Sequence, residues 1–296
     1  MGLTTQVTTG NMTRNYGYTS YGLPIARAVS QGSTNKSVIN YTYNTSTGNL
    51  TSLYYPLKSK IENFTYDNLY RLTSYGSTAM SYDDNGNILS KGDVGTFAYG
   101  TTGKPFAISQ ATLSNSISVG TQTATYLSFD RPSTVTDNGY TLSFTYNGDY
   151  DRVKMTKVKN SQTQLTRYYL GGCYELDVKS TGSTEKLYLN GGYYGAPAVL
   201  IKQGGNSSVY NIIRDHLGSI THVLNSSGTV MQELSYDAWG RLRNTTTFTP
   251  YAPYSELEPY LGRGYCGHEH LTGLGLINMN ARLYDPVLGR FLMADP

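Results

Sequence analysis

Residues 234–242 read Leu-Ser-Tyr236-Asp237-Ala-Trp239-Gly240-Arg241-Leu242. The same phrase stands earlier in the chain. Residues 64–73 read Phe-Thr-Tyr66-Asp67-Asn-Leu-Tyr-Arg71-Leu72-Thr73, and residues 80–89 read Met-Ser-Tyr82-Asp83-Asp-Asn-Gly86-Asn87-Ile88-Leu89. Residues 144–153 read Phe-Thr-Tyr146-Asn147-Gly-Asp-Tyr-Asp151-Arg152-Val153. Weaker copies surround Tyr43-Asn44, Tyr99-Gly100 and Phe129-Asp130-Arg131. Tyr66 and Tyr82 are 16 residues apart, and Tyr82 and Tyr99 are 17 apart. That interval holds two strands of about 5–6 residues and two turns. Phe-Thr-Tyr alternates apolar, polar and aromatic, the period of a strand. Asp or Asn after Tyr bonds its own backbone and opens a turn. Gly86 and Gly240 then supply the positive φ that closes a bulged hairpin.

Composition agrees with this reading. Tyr accounts for 29 of 296 residues, against 7 Phe and 1 Trp, and only 15% of residues are charged. A disordered chain is poor in aromatics and rich in charge. A long coiled coil needs charged, Leu-rich heptads, and a membrane-spanning helix needs about 18 or more apolar residues in a row. None of these patterns occurs. Net charge is +3, too small to imply a nucleic-acid or acidic-membrane partner. The N-terminus shows no basic region followed by an apolar core, so no signal peptide is visible. Cys173 and Cys266 read as two separate reduced thiols. The fold class is therefore all-β. Repetitive β-hairpins are expected to stack into an extended, curved or spiralling ribbon, because a lone hairpin is only marginally stable. Residues 1–165 carry the hairpin repeats, 166–209 irregular β repeats, and 210–296 a distinct C-terminal region.

That last region contains an ordered series: Asp215-His216-Leu217-Gly218-Ser219, Tyr236-Asp237-Ala238-Trp239-Gly240-Arg241, Gly267-His268-Glu269, Arg282-Leu283-Tyr284-Asp285-Pro286, Gly289-Arg290-Phe291 and Asp295-Pro296. With the repeats, it resembles the Rhs/YD-repeat family and its repeat-associated core region. The resemblance implies a secreted or cell-surface bacterial protein whose repeats form a β-shell around a variable C-terminal toxin. The implied partners are that toxin cargo or the remainder of the same polypeptide, with secretion machinery and carbohydrate as further ones. It implies no cofactor. The chain is expected to be a structural fragment of such a shell, lacking the toxin. Two alternatives are an aspartyl self-cleaving core and a carbohydrate-binding adhesion repeat.

The family match singles out Asp285 and Asp295 for self-cleavage, since two close carboxylates share a proton and divide base and acid roles. The competing reading is that Asp-Pro ends a strand in a turn. Arg282 and Arg290 either orient such carboxylates or form ordinary ion pairs. Cys266, His268 and His270 would share one face of an extended strand, but a zinc site needs about four ligands, and no metal is expected. Asp215, His216 and Ser219 lie too close in sequence to form a hydrolytic triad. Trp239 is expected to fill a hydrophobic gap, and most Tyr rings to pack against neighbouring hairpins.

Overall fold

A computed structural model describes residues 2–100, 103–114, 117, 120 and 122–293. The chain divides into two compact units, residues 1–118 and 119–296. Each contains one open, antiparallel, 11-stranded sheet with its strands in chain order. The first runs from Gln6–Thr9 to Ile108–Leu113, and the second from Thr123–Tyr126 to Val230–Glu233. A four-stranded sheet spanning Glu269–Leu271 to Arg290–Phe291 completes the second unit. The all-β fold built of stacked hairpins is as the sequence implies. Among the described residues no helix is long and apolar enough to cross a membrane.

One turn geometry explains the repeat. In eight hairpins among the described residues the residue after the Tyr position donates its N–H to the carbonyl four residues on. Its own carbonyl accepts from the residue three on. These turns open at Thr19, Asp67, Asp83, Leu127, Asn147, Asp215, Asn225 and Asp237. Their fourth residues, including Gly86 (φ 84), Gly218 (φ 85) and Gly240 (φ 86), are left-handed. An Asp or Asn fixes the loop further. Asp67 Oδ1 accepts the N–H of Leu69 and of Arg71, both at 2.9 Å. Asp237 Oδ1 accepts from Trp239 at 2.8 Å and Arg241 at 2.9 Å. Asp83 Oδ1 accepts from Asn87 at 2.8 Å.

Tyr rather than Phe is used because its hydroxyl reaches a neighbouring repeat. Tyr82 donates to the Leu72 carbonyl (2.7 Å) and Tyr99 to Ile88 (2.8 Å). Tyr146 donates to Pro132 and Tyr236 to Ile220, both at 2.8 Å. Each acceptor is the sixth residue after the Tyr position of an earlier repeat, so one hydroxyl ties hairpin to hairpin. Arg71 adds a second tie. It pairs with Asp67 at 2.6 Å, donates to the Asp83 carbonyl at 2.9 Å, and lies 4.8 Å from the Tyr82 ring centre. Tyr82→Phe and Tyr146→Phe are each expected to lower stability by about 1 kcal/mol. Urea unfolding should show this as a lower midpoint with unchanged slope.

In the second sheet the apolar residues do not all lie on the covered side. Tyr174–Lys179 buries Glu175 and Asp177, while Val178 is 40% exposed. On that outer face Leu170, Tyr174, Leu187, Leu200 and Val209 follow one another directly across five strands. A period of two requires one set of residues to face out. Here the set facing in is charged.

Candidate functional site

The covered face of the second sheet receives the C-terminal segment. Two apolar clusters make most of the contact. Leu142, Phe144, Met155 and Leu165 of the sheet pack with Leu271, Leu274, Leu276 and Leu283. Tyr188, Val199, Ile212 and Val223 pack with Leu261. Burial of this apolar surface supplies the bulk of the attachment, at about 25 cal/mol per Å².

Between the two clusters lies a buried ionic seal. Cross-strand register places Arg167 opposite Asp177, and Glu175 opposite both Tyr169 and Lys186. Arg167 grips Asp177 through Nε (2.5 Å) and Nη2 (2.7 Å), and Lys186 Nζ joins at 2.7 Å. The C-terminal segment contributes Arg263 and Glu269. Arg263 Nε donates to Glu175 Oε1 at 2.7 Å, and its guanidinium lies 4.0 Å from the Tyr193 ring centre. Glu269 accepts from Arg167 Nη1 at 2.8 Å and from the Tyr169 hydroxyl at 2.7 Å, with Arg152 Nη2 at 3.2 Å. Four cations thus surround three carboxylates. Burial pushes the Asp177 and Glu269 carboxyls up. Arg167 and Lys186 outweigh that for Asp177, and Arg152, Arg167 and Arg263 outweigh it for Glu269, so both sit below their ordinary values. Burial, aided by Arg167, lowers Lys186.

One exception to the repeat and one glycine build this seal. The sixth residue after the Tyr position is apolar at Leu72, Ile88, Pro132, Ile220 and Leu242, but is Arg152 after Tyr146. Gly262 has φ 74, and a Cβ there would lie 2.6 Å from Arg167 Nη1. Only glycine lets the backbone pass so close to that guanidinium.

Asp285 occupies a turn of the repeat type, lengthened by one residue. Its Oδ1 accepts from Val287 N–H (2.8 Å) and Leu288 N–H (3.0 Å), and its carbonyl accepts from Gly289 at 2.8 Å. Asn44 and Asn244 open turns of the same kind. Pro286 lies within the turn, and Arg290 pairs with Asp285 in register. Asp295 lies outside the described residues. Arg282 stacks on Phe291 at 3.7 Å, and Tyr284 donates to the Trp239 carbonyl at 2.9 Å. Trp239 covers Gly289, where a Cβ would meet its ring at 2.8 Å.

The other candidates have local roles. Asp215 Oδ1 caps its own turn by accepting from Leu217 and Ser219. His216 is exposed at the turn tip, and Ser219 Oγ accepts the Cys266 N–H at 3.1 Å. Cys173 and Cys266 are free thiols. Burial, with Asp215 nearby, pushes the Cys266 thiol up to about 11. Cys266, His268 and His270 do not form one extended run. Cys266 lies in a short turn with φ 49, and the strand begins at Glu269. The turn forms because Gly267 is left-handed (φ 73), and a Cβ there would lie only 3.1 Å from Arg214 Nη1. Among the described residues no three His, Cys, Asp or Glu side chains are placed to hold a metal.

Residues 184–296 match the model of the Teneurin YD-shell family. This part of the chain is therefore similar to YD-shell proteins. It is similar to the tRNA3(Ser)-specific nuclease WapA of Bacillus spizizenii, with 26% identity over 244 residues, 80% of this chain and 9% of that protein. It also resembles Salivary gland surface protein 1 of Aedes aegypti, at 28% over 171 residues, 55% of this chain and 5% of the relative. The chain therefore spans less than a tenth of these curated relatives. Among solved structures, TcdB2-TccC3 superposes with a TM-score of 0.76 at 16% identity, over 98% of this chain and 18% of that one. The Photorhabdus luminescens Tc holotoxin pore superposes with a TM-score of 0.71 at 16% identity, covering 97% and 17%. The YD-repeat ribbon and its covering C-terminal segment are thus a shared fold.

The repeat positions Asp67, Tyr82, Asp83, Tyr146, Tyr236, Asp237 and Gly240 have the turn and hydroxyl roles just described. Glu269 of the core motif sits at the centre of the seal. Sequence reasoning missed Arg152, Arg167, Glu175, Asp177, Lys186 and Arg263. The available signal was complementary charge at alternate positions of successive strands, Arg167, then Glu175 and Asp177, then Lys186.

Proposed function

We propose that this chain is a wall-and-closure segment of a YD-repeat shell that encloses a polypeptide toxin belonging to the same or a partner chain. One observation carries the reading: the C-terminal segment is fastened to the sheet by a buried seal of four cations and three carboxylates. Separating buried charges from their partners is costly, so this network favours a segment held in one fixed position. The free Cys266 thiol, protonated at neutral pH, and the turn-capping role of Asp285 favour a scaffold over an enzyme. A secreted or cell-surface setting follows from the same reading.

The test uses the full polypeptide encoded around this segment. Its passenger should resist protease under native conditions while a control passenger expressed alone is digested. Electron microscopy should show a hollow particle. Rapid digestion of the passenger from an intact shell would overturn the proposal.

A further inference from the structure

The seal contains a group that acid can reach before its carboxylates. We propose that His268 and His270 make the strap spanning Gly262–Leu271 acid-releasable, loosening it from the sheet while the ion pairs beneath remain ionised. This property is independent of whether a passenger is enclosed.

The geometry requires both rings to be neutral. The Tyr265 backbone N–H donates to His270 Nε2 at 3.0 Å, and a protonated ring has no lone pair to accept it. The His270 ring also lies 5.9 Å from the Tyr236 ring centre. Its charged surroundings are His268 and Glu269 on its own segment, and Arg241 and Glu256 lining the same small cavity. His268 packs on the Tyr194 ring at 5.1 Å, and its Nδ1 is buried without a hydrogen-bond partner. Arg263 of its own segment and Arg152 of the sheet both face it, with Glu269 adjacent. Protonating either ring adds a cation where four cations already face three carboxylates.

The direction of the effect follows from linkage. Burial, reinforced by Arg263 and Arg152, holds His268 down at about 4. Burial, reinforced by His268, holds His270 down at about 3. An unfolded histidine titrates near 6.5. Their contribution to stability is complete above about pH 6.5. It declines as pH falls and levels off below about 4 for His268 and about 3 for His270. Asp177 and Glu269 are held low, so they stay ionised between pH 6.5 and 5. Burial raises Glu256, which therefore acts in the opposite sense.

The experiment is urea unfolding of the 296-residue chain at pH 7, 6 and 5 in constant salt, followed by Trp239 fluorescence. Each histidine held neutral lowers the folding equilibrium constant up to about tenfold per pH unit. The wild type should lose at least about tenfold between pH 6 and 5. The double variant H268Q/H270Q should show a much smaller loss, since the glutamine replacing His270 still offers an acceptor to the Tyr265 N–H. An equal loss in both proteins would overturn the proposal. If the double variant does not fold, NMR titration of the wild-type rings decides: ring titration near 6.5 refutes the idea, and rings neutral down to pH 5 support it.

Discussion

Glu269→Ala is expected to lower the melting temperature of the second unit by roughly 10 °C, the largest effect of any single carboxylate in the chain. The side chain is 1% exposed and accepts from Arg167 and Tyr169, with Arg152 beside it. Removing it leaves two buried guanidinium groups short of an anion. Breaking a buried pair from one side costs about 3–5 kcal/mol. For a unit of this size each kcal/mol moves the melting temperature by roughly 2–4 °C. Glu269→Gln separates charge from shape. It retains an oxygen for the Tyr169 hydroxyl but leaves four cations facing two carboxylates, so most of the loss should remain. Calorimetry checks both variants. Loss below about 1 kcal/mol in Glu269→Ala would mean the seal is only a weak surface-like pairing. A charge-free replacement of the whole cluster is a different case, because well-packed apolar groups often match a buried ion network in stability.

The repeat was legible in the sequence because its determinants are local. Asp67, Asp83 and Asp237 set turns within five residues of themselves, and Gly86 and Gly240 mark the left-handed position. A short window contains the whole cause. The seal was not legible because its determinants are distant. Glu269 meets Arg167 across 102 residues, and Arg263 meets Glu175 across 88. Strand alternation also gives two equivalent faces, and nothing local to Tyr174–Lys179 states which is covered. Hydrophobicity favours burying Leu176 and Val178, yet the partner segment brings Arg263 and Glu269, which reward the opposite register. Cys266-Gly-His-Glu-His was read as an extended run. Gly267 breaks it through a close approach to Arg214 and Tyr194, a contact visible only after folding. Asp285 shows the converse. Its Asp-Pro was open to a catalytic reading, and its local turn chemistry matches Asn44 and Asn244.

Gly262→Ala tests the same seal from the backbone side and is expected to cost about 3 kcal/mol. The residue's φ of 74 lies in the left-handed region, where a side chain costs roughly 1 kcal/mol. The added methyl would also lie 2.6 Å from Arg167 Nη1 and 2.7 Å from Nη2. A free arginine end would swing aside at little expense. This one is fixed on one side by Asp177 and on the other by Glu269, so moving it breaks a bond to a buried carboxylate. The two costs therefore add. A double variant distinguishes them: Gly262→Ala combined with Arg167→Met should be less destabilised than the sum of the single variants by at least about 1 kcal/mol, because the methyl no longer meets a held guanidinium. Simple additivity in urea unfolding would show that Gly262 is needed only for its backbone conformation. Coupling would show that the strap is positioned by its approach to Arg167, and that the glycine belongs to the seal as much as the charges do.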